Sequence, residues 1–162
     1  MKVDWAEAWL FYITKQTNQQ ELLTVSFGLP AMPAATQAGS NTGQFLTAIE
    51  FEDGSWQVHL GTPDEEWFAL YGEQARLPAR LKESLANNEL LVTSIEANGL
   101  KSSVPELHLQ EQFYLHYILA ESPRRKSTDY PDEWDVSTWF AVDQSQKALE
   151  AAWLQQANTS GE

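Results

Sequence analysis

The sequence predicts an α+β fold, mostly antiparallel sheet built from hairpins and packed against two short central helices and one C-terminal helix. Three observations carry this. Asp53-Gly54 and Asn98-Gly99 each sit between two strand-like runs, and each supplies the dipeptide that a tight hairpin turn needs for positive φ angles. Thr62-Pro63-Asp64-Glu65 and Asp143-Gln144-Ser145-Gln146 have the form of capping boxes opening helices. No strand–helix–strand alternation of the kind that builds parallel sheets is present, which leaves antiparallel strands with helices beside them.

Taken in order, Ala8 to Thr14 and Leu22 to Phe27 are rich in β-branched and aromatic residues, and the polar stretch between them suggests a first hairpin. Just upstream, Trp5 and Trp9 stand four residues apart, which suits one helical turn leading into the first strand. Residues 30–44 are uncharged and aperiodic and read as a long loop. From Phe45 two strands flank Asp53-Gly54, with Trp56, Val58 and Leu60 on one face and Gln57 and His59 on the other, His59 turned to solvent. A short helix follows from Pro63, with Thr62 as its cap, to about Tyr71, and stops at Gly72. Pro78 starts a second helix, in which Leu81 and Leu85 share a face, and Asn87-Asn88 ends it.

Strands at 90–97 and 100–104 flank Asn98-Gly99, and Gln112 to Ala120 carries apolar residues on both faces, the pattern of a central strand covered on both sides. Ser122 to Trp134 reads as a loop, Val136 to Val142 as a further strand, and 143–156 as the C-terminal helix. The whole fits one domain over 1–157, with the long loop at 30–44 and a frayed tail at 158–162.

The 162 residues are 43% hydrophobic and 12% aromatic, enough to build a core despite the charge. Ten Lys and Arg stand against 23 Asp and Glu, a net charge of −13. Such a chain repels nucleic-acid phosphates and anionic lipid, so neither direct nucleic-acid binding nor membrane binding is expected. The absence of cysteine removes thiolate nucleophiles, disulfides and sulfur-based metal sites together. No basic leader followed by a small-residue cleavage site is seen, and the expectation is a cytoplasmic protein.

Residues that could carry chemistry are sparse. His59, His108 and His116 have no metal-ligand spacing, and His116 suits a packed sheet position. Nucleophile elbows, phosphate loops and dinucleotide-binding fingerprints are all missing. No cofactor, metal or catalytic residue is therefore expected, and a non-enzymatic protein is the working hypothesis. Paired carboxylates of the glycosidase kind occur by chance in so acidic a chain and carry little information.

What does stand out is acid interleaved with aromatic residues. Acidity concentrates in residues 1–75 and 127–162, in Glu50, Glu52 and Asp53 around Phe51, in Asp64, Glu65 and Glu66 beside Trp67, and in Asp129, Tyr130, Asp132, Glu133, Trp134 and Asp135. Carboxylates steer a cationic partner, and half-exposed aromatics such as Trp67 and Trp134 supply desolvated anchors. These residues form the candidate site for a basic protein partner, and Trp9, Trp56, Trp139 and Trp153 fall on positions that would face a core, at least three of them buried. In size and acidity the chain resembles the immunity proteins of bacterial toxin systems, a likeness that implies an inhibitor occluding a cationic toxin. A nucleic-acid mimic that inhibits a DNA-binding protein, a structural or assembly subunit forming a homodimer, and a carbohydrate-binding module are the alternatives.

Overall fold

The computed structural model describes residues 5–19, 23–28, 37–43, 45–52, 55–72, 76–87, 92–123 and 147–148. Its strands are β1 (Trp5–Thr14), β2 (Thr24–Gly28), β3 (Gln37–Gly43), β4 (Leu46–Glu52), β5 (Trp56–Pro63), β6 (Thr93–Glu96), β7 (Gly99–Ser103) and β8 (Gln112–Pro123). Helices α1 (Glu65–Tyr71) and α2 (Ala79–Ala86) lie between β5 and β6. The result is a mixed fold dominated by antiparallel sheet. Five strands form one sheet in the order β1-β8-β5-β4-β3, and three form another in the order β2-β7-β6. The loop predicted from Ser122 starts later, because Ser122 and Pro123 continue β8 opposite Gln57 and Trp56. The rest of that loop and the strand predicted at 136–142 lie outside the described residues, and of the C-terminal helix only Lys147 and Ala148 are described, both helical.

β8 organises the large sheet. Phe113 to Ala120 are buried without interruption, as a strand apolar on both faces requires. Its Phe113, Leu115, Tyr117 and Leu119 share a face with Phe11 and Trp9 of β1 and Leu60 and Val58 of β5, by the registers Phe11↔Leu115, Trp9↔Tyr117, Leu60↔Leu119 and Val58↔Glu121. The three-stranded sheet covers this face. Phe27 of β2 stacks on Tyr117 at 5.3 Å and lies 4.6 Å from Trp9, and Val92 and Leu100 join the same core. On the opposite face are Tyr114, His116, Ile118 and Ala120. There the Trp67 ring of α1 stands 5.7 Å from His116 and 6.5 Å from Tyr114.

One polar chain crosses the gap between the sheets. The buried Tyr117 hydroxyl donates to the Val25 carbonyl of β2 at 3.0 Å and lies 2.7 Å from Ser102 Oγ of β7. Ser102 Oγ in turn lies 2.8 Å from Thr93 Oγ1 of β6. A phenol has one proton, so with Tyr117 donating to Val25 the Ser102 hydroxyl donates to Tyr117 and the Thr93 hydroxyl to Ser102, which satisfies every member. A second buried hydroxyl works at the end of a ladder. The last β5–β8 pair is Gly61↔Ile118, and Thr62 Oγ1 donates to the His116 carbonyl at 2.7 Å.

Several sequence expectations are corrected. β1 and β2 do not form a hairpin: β1 pairs with β8 and β2 with β7. The turn of helix at Trp5–Trp9 is strand instead. A spacing of four also returns to the same face of a strand, and the two rings meet edge to face at 6.3 Å. Within the predicted loop, 37–43 is strand β3, paired with β4 from Gln37↔Glu52 to Gly43↔Leu46. Phe45 follows at φ 70°, its carbonyl accepting the Asp64 amide. Helix α1 starts later than predicted, capped by Asp64 rather than Thr62, because β5 runs through Pro63.

The β6–β7 turn is Ala97-Asn98, one residue before the predicted dipeptide, since Glu96 pairs with Gly99. Gly99 is needed for another reason. A Cβ there would collide with the Phe27 carbonyl oxygen and the Gly28 backbone, so β2 and β7 can approach only with glycine at this position.

Gly99→Ala should therefore cost about 1–3 kcal/mol of unfolding free energy in urea titration. Tyr117→Phe leaves the Val25 carbonyl and the Ser102 hydroxyl short of a partner and should cost about 1–3 kcal/mol at pH 7. Burial holds the Tyr117 and Tyr114 phenols above their ordinary range, so the folded state favours their protonated forms. Their contribution is complete below about pH 10 and is lost as pH rises through the folded values. An alkaline unfolding transition is expected above that pH, and Tyr117→Phe should make its slope shallower.

Candidate functional site

Three carboxylates, Glu50, Asp64 and Glu111, have structural work. Glu50 on β4 faces His59 on β5, with Oε2 3.3 Å from Nε2. His59 is 1% exposed, not turned to solvent, because β5 is an interior strand whose residues from Val58 to Pro63 are all buried. Asp64 closes the first turn of α1, its Oδ1 accepting the Trp67 amide at 2.8 Å. Partial burial, with the neighbouring Glu66 and Glu65 charges adding to it, raises the Asp64 pKa. Glu111 clamps the segment before β8. It binds Arg80 of α2 at 2.6 Å and the His108 amide at 2.7 Å, and the Arg80 hydrogen bond holds its carboxyl below the usual range.

The predicted site residues therefore separate. Glu65 is half-buried and Glu66 exposed at the start of α1, and Glu52 closes β4 opposite Gln37 and Gln57. Asp53 and the whole group Asp129, Tyr130, Asp132, Glu133, Trp134 and Asp135 lie outside the described residues. Trp67 is a correction: it is 0% exposed instead of half in water. With Asp64 as cap, Trp67 falls on the inward face of the first turn, where it meets Phe68 and Tyr71 of its own helix at 5.2 and 5.5 Å.

The structure brings together a group that the sequence did not single out. Trp5 is directly opposite Glu121, Glu121 is opposite Val58, and Trp56 is opposite Pro123. Glu7, opposite Leu119, lies on the same face one step along. Trp5, Glu7, Glu121 and Trp56 thus share one end of one sheet face, beyond the part covered by β2. Glu7 and Glu121 are diagonal neighbours, a relation that sets residues about 7–8 Å apart, with the Cβ atoms somewhat closer. The two tryptophans are 41% and 39% exposed, so Trp56 is not the core residue its strand position predicts: it is the first residue of β5, ahead of the stretch that is buried. Neither Glu7 nor Glu121 is paired with a cation among the described residues.

An indole face beside a free carboxylate offers a lysine or arginine both a cation–π contact and an opposite charge. The signal available in the sequence was the shared parity of Trp5, Glu7 and Trp9. The register that adds Glu121 and Trp56 joins distant segments and could not be read.

A cleft of about 290 Å³ opens at the other end of β1, lined by Ile13, Lys15, Leu23, Val104 and Leu107. Among the described residues no group of three or more His, Cys, Asp or Glu could hold a metal ion, and no helix is long and apolar enough to cross a membrane. Comparison with family models, with curated proteins and with solved structures finds no match.

Trp67→Ala removes a fully buried indole and should cost about 3–5 kcal/mol in denaturant unfolding, with Trp67→Phe losing less.

Proposed function

We propose that this protein binds a basic protein partner and inhibits it by occlusion, with no chemistry of its own. The observation that carries the reading is the grouping of Trp5 and Trp56 with Glu7 and Glu121 on one sheet face of a chain with net charge −13. The overall charge steers the encounter, and the indoles and carboxylates hold Lys and Arg side chains once water is excluded. Glu65 and Glu66 at the start of α1 add to the attracting field. The acids and aromatics at 129–135 extend the same chemistry. A cytoplasmic location belongs to the same proposal, as does the likeness to toxin-neutralising proteins: both need an acidic inhibitor present where the cationic partner would act.

The test has two stages. The partner is captured from native-host lysate at low salt and identified by mass spectrometry, and the purified pair is then studied by stopped flow. The association rate should fall by at least about tenfold between low and high salt. Glu7→Gln with Glu121→Gln should slow association, while Trp5→Ala should mainly speed dissociation. An association rate indifferent to salt, or a captured partner that is not basic, overturns the reading.

A further inference from the structure

Beside the group at Trp5 and Glu121, β1 presents an open backbone edge. This strand is the edge of the large sheet, and among the described residues no strand pairs with its outer side. An edge presents a row of backbone donors and acceptors, and proteins usually guard it with lysine, proline, a bulge or a short length. β1 has none of these. It is ten residues long, pairs with β8 in unbroken register from Trp5↔Glu121 to Thr14↔Gln112, and contains one charged residue, Glu7. Trp5, Leu10 and Tyr12 are 41%, 41% and 58% exposed along it.

The two sides of this edge differ in chemistry. Glu7 lies with Trp5 and Glu121 on one face. On the other are Leu10 and Tyr12, and the Arg76 guanidinium stands 5.7 Å from the centre of the Tyr12 ring while donating to Gln112 at 2.7 Å. A strand added beside β1 places alternate side chains on the two faces. Cations are favoured beside Glu7 and Glu121, whereas beside Tyr12 the Arg76 charge repels them and an apolar side chain fits. A second copy of this chain is a poor occupant. Trp5–Thr14 contains no basic residue to meet Glu7, and each copy carries −13.

We infer that β1 is a strand-addition site for an extended segment of the basic partner in which Lys or Arg alternates with apolar residues, the cations lying on the Glu7 face. This rests on the basic-partner reading and goes further by naming the element and the pattern recognised.

The experiment uses the full chain and two synthetic peptides of the length of β1, one alternating Lys and Val, the other with the same composition in Lys-Lys-Val-Val order. The alternating peptide should bind at least about tenfold tighter and should slow hydrogen exchange of the β1 amides. Glu7→Lys and Tyr12→Lys, each at an exposed position and each checked for an unchanged unfolding midpoint, should abolish the difference between the peptides.

Equal binding of both peptides without protection of β1 overturns strand addition and leaves the basic-partner reading standing. Binding of neither at low salt overturns both. Protection of β1 that appears on concentrating the protein alone, with sedimentation as a dimer, assigns the edge to a second copy and overturns the inference.

Discussion

The structure depends on one requirement, that β8 be covered on both faces and paired on both edges. A strand reading Phe-Tyr-Leu-His-Tyr-Ile-Leu-Ala has no side to give to water. β1 and β5 complete its ladders, the β2-β7-β6 sheet closes over one face, and Trp67 lies against the other. Burial on this scale brings polar atoms inside with the apolar ones, and these demand partners. The hydroxyl chain from Tyr117 through Ser102 to Thr93 meets that demand and also fixes how the two sheets sit on each other, because its length tolerates little sliding.

The same requirement decides which aromatic residues reach solvent. β8 and β5 are interior and the three-stranded sheet occupies the middle of one face, so the outward-facing aromatics of the large sheet are left at its rim and along β1. Charge follows a similar logic. Glu50, Asp64 and Glu111 are engaged with His59, a helix end and Arg80, so the net charge overstates the carboxylates available to a partner. Glu7 and Glu121, by contrast, share their sheet face with the exposed indoles of Trp5 and Trp56.

What the sequence disclosed was local. The two-sided apolarity of Gln112 to Ala120, the hairpins around Asp53-Gly54 and Asn98-Gly99, and the limits of both central helices at Gly72, Pro78 and Asn87 all follow from neighbouring residues. What it concealed depended on partners far along the chain. β3, with the sequence Gln-Ala-Gly-Ser-Asn-Thr-Gly, carries no apolar period and holds its place through its pairing with β4. Spacing four cannot distinguish helix from strand at Trp5 and Trp9. The burial of His59 and Trp67 was hidden because periodicity, of two in a strand or 3.6 in a helix, tells which residues share a face, not whether that face is covered. The group at Trp5, Glu7, Glu121 and Trp56 was hidden because three separate strands compose it.

The pairing of β1 with β8 has a kinetic side. Trp5 meets Glu121, so the first described strand finds its only ladder among the described residues in the last described strand. Loop closure over that distance is slow and contributes nothing until it is complete, whereas the β3-β4-β5 meander and the β6–β7 hairpin close over a few residues. During synthesis β1 is therefore made early and satisfied late, and both of its edges stay open while the rest of the sheet assembles. The interval in which this chain is most prone to aggregate is set by the arrival of β8.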